Sequence, residues 1–216
     1  MIEAVIFDLD GVLATTDTLH FAAWKRLADE LCITGYAKAD NLRQRGVGRM
    51  ESLEVLLEKS SVTYTQAEKE ALAERKNDYY VALLSGLGPE VILPGAENTL
   101  QTLRRRGIKL AVGSASKNAC QILTQCGLAA YFDAIATGYD VTKSKPDPAI
   151  FLAAADKLNV SPECCIVVED AEAGIDAGNA GGMITLGVGP ASAYEPAAYR
   201  ATSLADPALD WDRLLC

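Results

Sequence analysis

Two carboxylates flank a single leucine in Asp8-Leu9-Asp10-Gly11, directly after an apolar, β-branched run. If the chain stays extended there, both acids point one way and Leu9 points into the core. Such a pair can act as nucleophile and general acid/base. Gly11 then permits a turn or a close backbone approach. A surface turn that holds two acids would look the same. Three more groups invite the same question. Ser114-Ala115-Ser116 opens a helical pattern, where a hydroxyl and free N–H groups suit a phosphate. The plainer account is that Ser116 is an N-cap. Lys145 sits in the Pro-containing turn Ser144-Lys145-Pro146-Asp147-Pro148, placed to stabilise developing phosphoryl charge or simply exposed on a loop. Glu169-Asp170 offers the hard oxygen ligands that magnesium prefers. The same acids would also suit the dipole of the following helix.

The elements that must position these groups alternate. Short apolar runs at 2–7, 109–113, 134–137, 164–168 and 183–188 read as strands. Helical patterns cover about 96–106, 116–126, 147–158 and 172–180, with Asp147-Pro148 starting the third. This alternation predicts an α/β fold, a doubly wound, Rossmann-like parallel sheet covered on both faces. Each candidate group then falls at the C-terminal end of a strand, where open α/β sheets bind ligands. Chance explains any one of them, but poorly explains four in order. From about 36 to 85 strands are absent and charged helix formers dominate, as at 50–59 and 66–84. Phe21, Trp24, Leu27, Ala28 and Leu31 share one face of an earlier helix. We therefore expect a catalytic core of residues 1–15 and 87–216, split by an all-helical cap at 16–86. The Ala- and Pro-rich tail from about 190 has no clear pattern.

A chain of 216 residues can bury one sizeable core plus an insert. The net charge of −9 argues against nucleic acid or an anionic membrane as partner. No stretch reaches membrane-spanning length, and the early acids Asp8 and Asp10 exclude a signal peptide. A cytoplasmic protein is expected. The six cysteines form no C-x-x-C pair and His20 is the only histidine, so zinc is not expected.

The four groups in this order resemble the motifs of the haloacid dehalogenase superfamily of aspartyl phosphotransferases: Phe7-Asp8-Leu9-Asp10-Gly11-Val12, Ser114-Ala115-Ser116, Lys145-Pro146 and Glu169-Asp170. The resemblance implies that Asp8 attacks phosphorus while Asp10 protonates the leaving oxygen and then activates the acceptor. It implies that Ser114 and Lys145 hold the phosphoryl group. One Mg2+ per subunit would be bound by Asp8, the Asp10 carbonyl, Glu169 and Asp170.

His20-Phe21-x-x-Trp24, Gly46-Val47-x-Arg49-x-x-Ser52, Arg75-Lys76-Asn77-Asp78 and Ser114-Ala115-Ser116-Lys117-Asn118 are similar to the β-phosphoglucomutase family in particular. That likeness implies a mutase that interconverts β-D-glucose 1-phosphate and glucose 6-phosphate, with glucose 1,6-bisphosphate as intermediate and activator. Arg49, Lys117 and Asn118 would hold the distal phosphate, Lys76 would stand close to the reacting sugar, Gly46 and Val47 would contact its hydroxyls, and Ser52, Ser116 and Trp24 would also bind substrate. Thr16 and His20 would serve the hinge or a proton relay. Without the likeness, Arg43, Arg45 and Arg49 read as a solvated face and Trp24 as core packing. Thr15 stands where the family more often has an acid, Arg45 where lysine is frequent, and Ala171 where serine is common. A sugar-phosphate phosphatase on the same fold is the alternative, and a non-catalytic sugar-phosphate-binding protein a third. A monomer suffices for all of these.

Overall fold

The structure, a computed structural model, describes residues 1–44 and 47–216. Arg45 and Gly46, both singled out above, lie outside the described residues. Six strands form one parallel sheet: β1 (Ala4–Phe7), β2 (Lys109–Gly113), β3 (Ala134–Ala136), β4 (Cys165–Glu169), β5 (Ile184–Gly187) and β6 (Tyr199–Arg200). Their spatial order is β3-β2-β1-β4-β5-β6. The chain leaves β1 toward β2 and β3, then returns to β4 on the other side of β1. The order therefore reverses between β1 and β4, and the crevice outside the strand ends at such a reversal is where open sheets bind ligands.

Both faces of the sheet are covered. α5 (Ala96–Arg105), α6 (Ala119–Gln125) and the short α9 (Trp211–Leu214) pack on one face. α7 (Ala149–Leu158) and α8 (Glu172–Ala180) flank the other. Alternation along β1 explains the division: Val5 and Phe7 join the first cluster, Ala4 and Ile6 the second. The tail, without a pattern in the sequence, is structured: Ala201, Leu204, Trp211 and Leu214 complete the first cluster and Asp210 caps α9. One expectation needs correction: Ser116 does not cap α6, which starts at Ala119. Its hydroxyl instead accepts from the Asn118 N–H, and Ser114 Oγ accepts from the Ser116 N–H, so the loop uses its hydroxyls in successive tight turns.

Between β1 and β2 come α1 (Asp17–Glu30), α2 (Lys38–Arg43), α3 (Arg49–Leu57) and α4 (Gln66–Leu84). They bury a cluster of their own around Trp24, Leu27, Leu53, Leu56 and Leu72. The separation is incomplete, since Ala23, Tyr80 and Leu84 join the cluster of the sheet. The two chain crossings into this helical insertion lie side by side. Thr15 N–H donates to Val91 O and Leu93 N–H donates to Leu13 O, both at 2.9 Å.

Leu27 has no exposed surface in the centre of the insertion's cluster. Leu27→Ala is expected to cost about 2–5 kcal/mol of stability, read by urea denaturation.

Candidate active site

Asp8 directly follows β1. Phe7 is level with Val112 of β2 and Val168 of β4, so Asp8, Ser114 and Glu169 emerge at nearly one height. Lys145 comes from the loop that leads from β3 to α7. Its Nζ lies 2.6 Å from Asp8 Oδ1 and 2.6 Å from Glu169 Oε1, with no side-chain surface exposed. Burial alone would lower the Lys145 pKa, but the two carboxylates outweigh it and raise it. The lysine is therefore a fixed cation. Burial pushes Asp8 up, to about 7, against the pull of that ammonium.

The strand ends at Phe7, and the chain then turns rather than continuing extended: Gly11 has φ +84°, and Leu13 N–H donates back to Leu9 O. Leu9 is fully buried, as its alternation required. The turn gives the two acids different partners. Asp8 meets Lys145, whereas Asp10 Oδ1 accepts from the Thr16 hydroxyl and, at 3.2 Å, from the Thr16 N–H. Burial raises Asp10 to about 6, with Thr16 opposing the shift. An acid poised there can both give and take a proton near neutral pH.

The donors around Asp8 suit a hard divalent cation. A Cβ on Gly11 would lie 2.1 Å from Asp170 Oδ2, so only a bare Cα lets that carboxylate rest against the Asp10-Gly11 backbone. Asp8, Asp170 and the Asp10 carbonyl can thus present oxygen to one ion, with water completing the shell. Glu169 has one oxygen on Lys145 and the other on the Ala171 N–H, at 2.6 and 2.8 Å. Among the described residues, no three His, Cys, Asp or Glu side chains converge into a ready cage.

Above these groups lies a cavity of about 590 Å³, roofed by the insertion, a size that suits a small ligand. Lys76 of α4 is almost fully buried in that roof. Its Nζ lies 2.9 Å from His20 Nδ1 and about 4.6 Å from the Trp24 ring centre. His20 stacks on Tyr80 at 4.0 Å. Burial, then Lys76 and Arg49, hold the imidazole well below its ordinary pKa and so neutral. Burial and Arg49 likewise bring Lys76 down, to about 7. Tyr80 donates its hydroxyl to Thr16 Oγ1 at 2.9 Å, which leaves the Thr16 proton for Asp10.

On the far side of the cavity, Arg49 and Asn118 each donate to Asn77 Oδ1, at 2.8 and 2.9 Å. Arg49 also pairs with Glu74. Lys117 lies nearby, its Nζ 5.0 Å from the Tyr139 ring centre. Val47, Ser52 and Ser116 also line the cavity. Of the candidates, Trp24 serves both readings, since it belongs to the insertion's core and also faces the cavity. Asn77, Tyr80 and Ser144 line it too, although sequence reasoning assigned them no role. Tyr80 stands four residues after Lys76, on the same helix face, and that spacing was the available signal.

A buried carboxylate on a buried lysine, with a second acid held by Thr16 below a cavity lined with cationic side chains, suits phosphoryl transfer. Residues 2–182 match the model of the haloacid dehalogenase-like hydrolases, and the chain belongs to that family. Enzymes of this family are in general magnesium-dependent. The chain is 45% identical to a β-phosphoglucomutase of Bacillus subtilis, over 87% of this chain and 83% of that one. It is 33% identical to a phosphorylated-carbohydrates phosphatase of Thermotoga maritima, over 84% and 82%. The crystal structure of a β-phosphoglucomutase from Clostridium difficile superimposes with a TM-score of 0.91 at 40% identity, covering 99% of this chain and 96% of that one. Among the described residues, no helix is long and apolar enough to cross a membrane.

The lowered Lys76 pKa has a definite consequence for stability. Between about 7 and the ordinary lysine value near 10.4, the unfolded chain binds more protons than the folded one. Stability therefore rises with pH across that window. Relative to Lys76→Met, the wild type is expected to gain on the order of 3 kcal/mol between pH 7 and 9.5. Urea denaturation at both pH values checks this; a constant difference would mean that Lys76 titrates normally.

Proposed function

We propose that the chain is a β-phosphoglucomutase that interconverts β-D-glucose 1-phosphate and glucose 6-phosphate through an aspartyl phosphate on Asp8 and glucose 1,6-bisphosphate. One observation supports the reading: donors suited to phosphate line the cavity at two places. Asp8 and Lys145 stand at one. At the other, a cation of the insertion, Arg49, and an amide of the core, Asn118, converge on the single oxygen of Asn77. An arriving phosphate would take those donors from Asn77 and Glu74. A bisphosphate needs two such places; simple hydrolysis of a monophosphate needs only one. The 45% identity to the B. subtilis mutase supports the same reading.

The steps follow from the positions of the groups. In the phosphorylated enzyme, Asp10 takes the proton from the sugar hydroxyl. That oxygen bonds to phosphorus, and the bond between phosphorus and Asp8 breaks to release the carboxylate. The bisphosphate then turns so that its other phosphate meets Asp8. The Asp8 oxygen attacks that phosphorus, and the departing sugar oxygen takes the proton back from Asp10. Lys145 and Ser114 hold the transferring oxygens throughout. Arg49, Lys117 and Asn118 hold the resting phosphate, and Lys76 stands over the sugar. Mg2+, held by Asp8, Asp170 and the Asp10 carbonyl with Glu169 beside them, would neutralise phosphoryl charge. Every group named comes from one chain, so a monomer suffices.

The T. maritima relative keeps a second reading in view, a sugar-phosphate phosphatase in which water takes the phosphoryl group. One assay separates the two. With β-glucose 1-phosphate, Mg2+ and a trace of glucose 1,6-bisphosphate, glucose 6-phosphate and free phosphate are followed together. The mutase makes glucose 6-phosphate with little phosphate released; rapid phosphate release with little isomerisation overturns it. Asp8→Asn is expected to lower turnover by roughly a thousandfold or more.

A further inference from the structure

Ser144 stands immediately before Lys145, on the rim of the cavity, and its side chain bonds across the cleft. Its Oγ accepts from the Gly48 N–H at 3.1 Å and donates to Glu51 Oε1 at 2.8 Å. Gly48 and Glu51 flank the start of α3 in the insertion; Ser144 belongs to the core loop. A third fact shows how tightly these groups meet. A Cβ on Gly48 would lie 2.5 Å from Glu51 Oε2 and 2.6 Å from Ser144 Oγ. Gly48 has φ −69°, which any residue adopts, so a side chain here would displace the Glu51 and Ser144 oxygens and not strain the backbone. These hydrogen bonds join the three to one another and not to Asp8, Asp10 or the Lys145 ammonium, although Ser144 adjoins Lys145 in the chain.

We infer that Ser144, Gly48 and Glu51 are positioning residues, a clasp that holds the insertion down over phosphorylated Asp8 and so decides whether a sugar hydroxyl or water receives the phosphoryl group. The inference rests on the mutase reading. A loosened roof admits water, and water needs no second phosphate site. The clasp lies beside Lys145, so it closes the roof over the transferring phosphate itself. The contact of Arg49 and Asn118 with Asn77 lies elsewhere on the rim and would be rearranged by substrate; the clasp involves no group assigned to substrate and can persist with the site full.

Ser144→Ala, Glu51→Ala, Glu51→Gln and Gly48→Ala test it. The first readout is the ratio of glucose 6-phosphate formed to phosphate released, in the assay above. A single hydrogen bond of this kind is worth about fivefold in an equilibrium. The ratio is expected to fall by about that factor in Ser144→Ala, Glu51→Ala and Gly48→Ala. Glu51→Gln keeps the acceptor and should stay near wild type. Ser144→Ala combined with Glu51→Ala should be no worse than the more severe single variant. The second readout is amide hydrogen exchange of the segment 47–57 in the resting enzyme, expected to speed up in the same three variants. Exchange that quickens while the ratio holds overturns the gating role, and exchange that does not change overturns the clasp. If the wild type releases phosphate without isomerising, the mutase reading fails instead. The exchange result still decides whether the clasp exists, and an unchanged KM for the sugar phosphate in the three variants would then deny it a function.

Discussion

Lys145 is the buried cation that lets two carboxylates share the end of one sheet. Without it, Asp8 and Glu169 would be like charges taken out of water side by side, a costly arrangement. With it, three segments far apart in the chain are tied at one point: the end of β1, the end of β4 and the loop before α7. The tie also orders the chemistry. Lys145 stays protonated as a permanent charge, while Asp10, whose pKa burial raises to about 6, is bonded to Thr16 instead. Two carboxylates separated by one residue thereby receive two environments. Environment, not residue type, assigns such roles.

The insertion builds the other half of the site, and α4 joins its parts. Lys76, Asn77 and Tyr80 lie within little more than one turn of that helix. Lys76 meets His20 and Trp24, Asn77 meets Arg49 and Asn118, and Tyr80 reaches Thr16. The contacts of His20 and Trp24, of Arg49 and Asn118, and of Thr16 are thus referred to one helix. That economy makes the contacts sensitive to how the helix is seated, and Tyr80 and Leu84 seat it in the cluster of the sheet itself.

Much of this could be read from the residues. The run at 109–113 and the helix at 172–180 lie where pattern placed them, because apolar runs bounded by Gly and polar residues leave little choice. The four candidate groups could be found because their residue types are chemically committed, although Lys145 lies in the loop well past the end of β3. What escaped depended on tertiary contact. Ser116 looked like a cap because serine before a helix often is one, but its hydroxyl closes a turn two residues short of that. The tail lacked a period because Ala201, Leu204, Trp211 and Leu214 reach the core from irregular chain and only a few residues of strand and helix. Ser144 and Glu51 are 93 positions apart, and nothing local in either stretch reports that a roof closes between them.

The paired crossings into the insertion limit how that roof can move. Residues 13–15 and 91–93 run together, tied by Thr15 to Val91 and Leu93 to Leu13. Two strands joined in this way resist shear and independent sliding, and they bend most easily as one ribbon. Of the motions open to the insertion, this ribbon favours one, the swing of a door on its frame. A door needs no strong lock. With the lateral motions already removed, a few weak bonds at the free edge can determine how long it stays shut, and each opening returns the same faces to register.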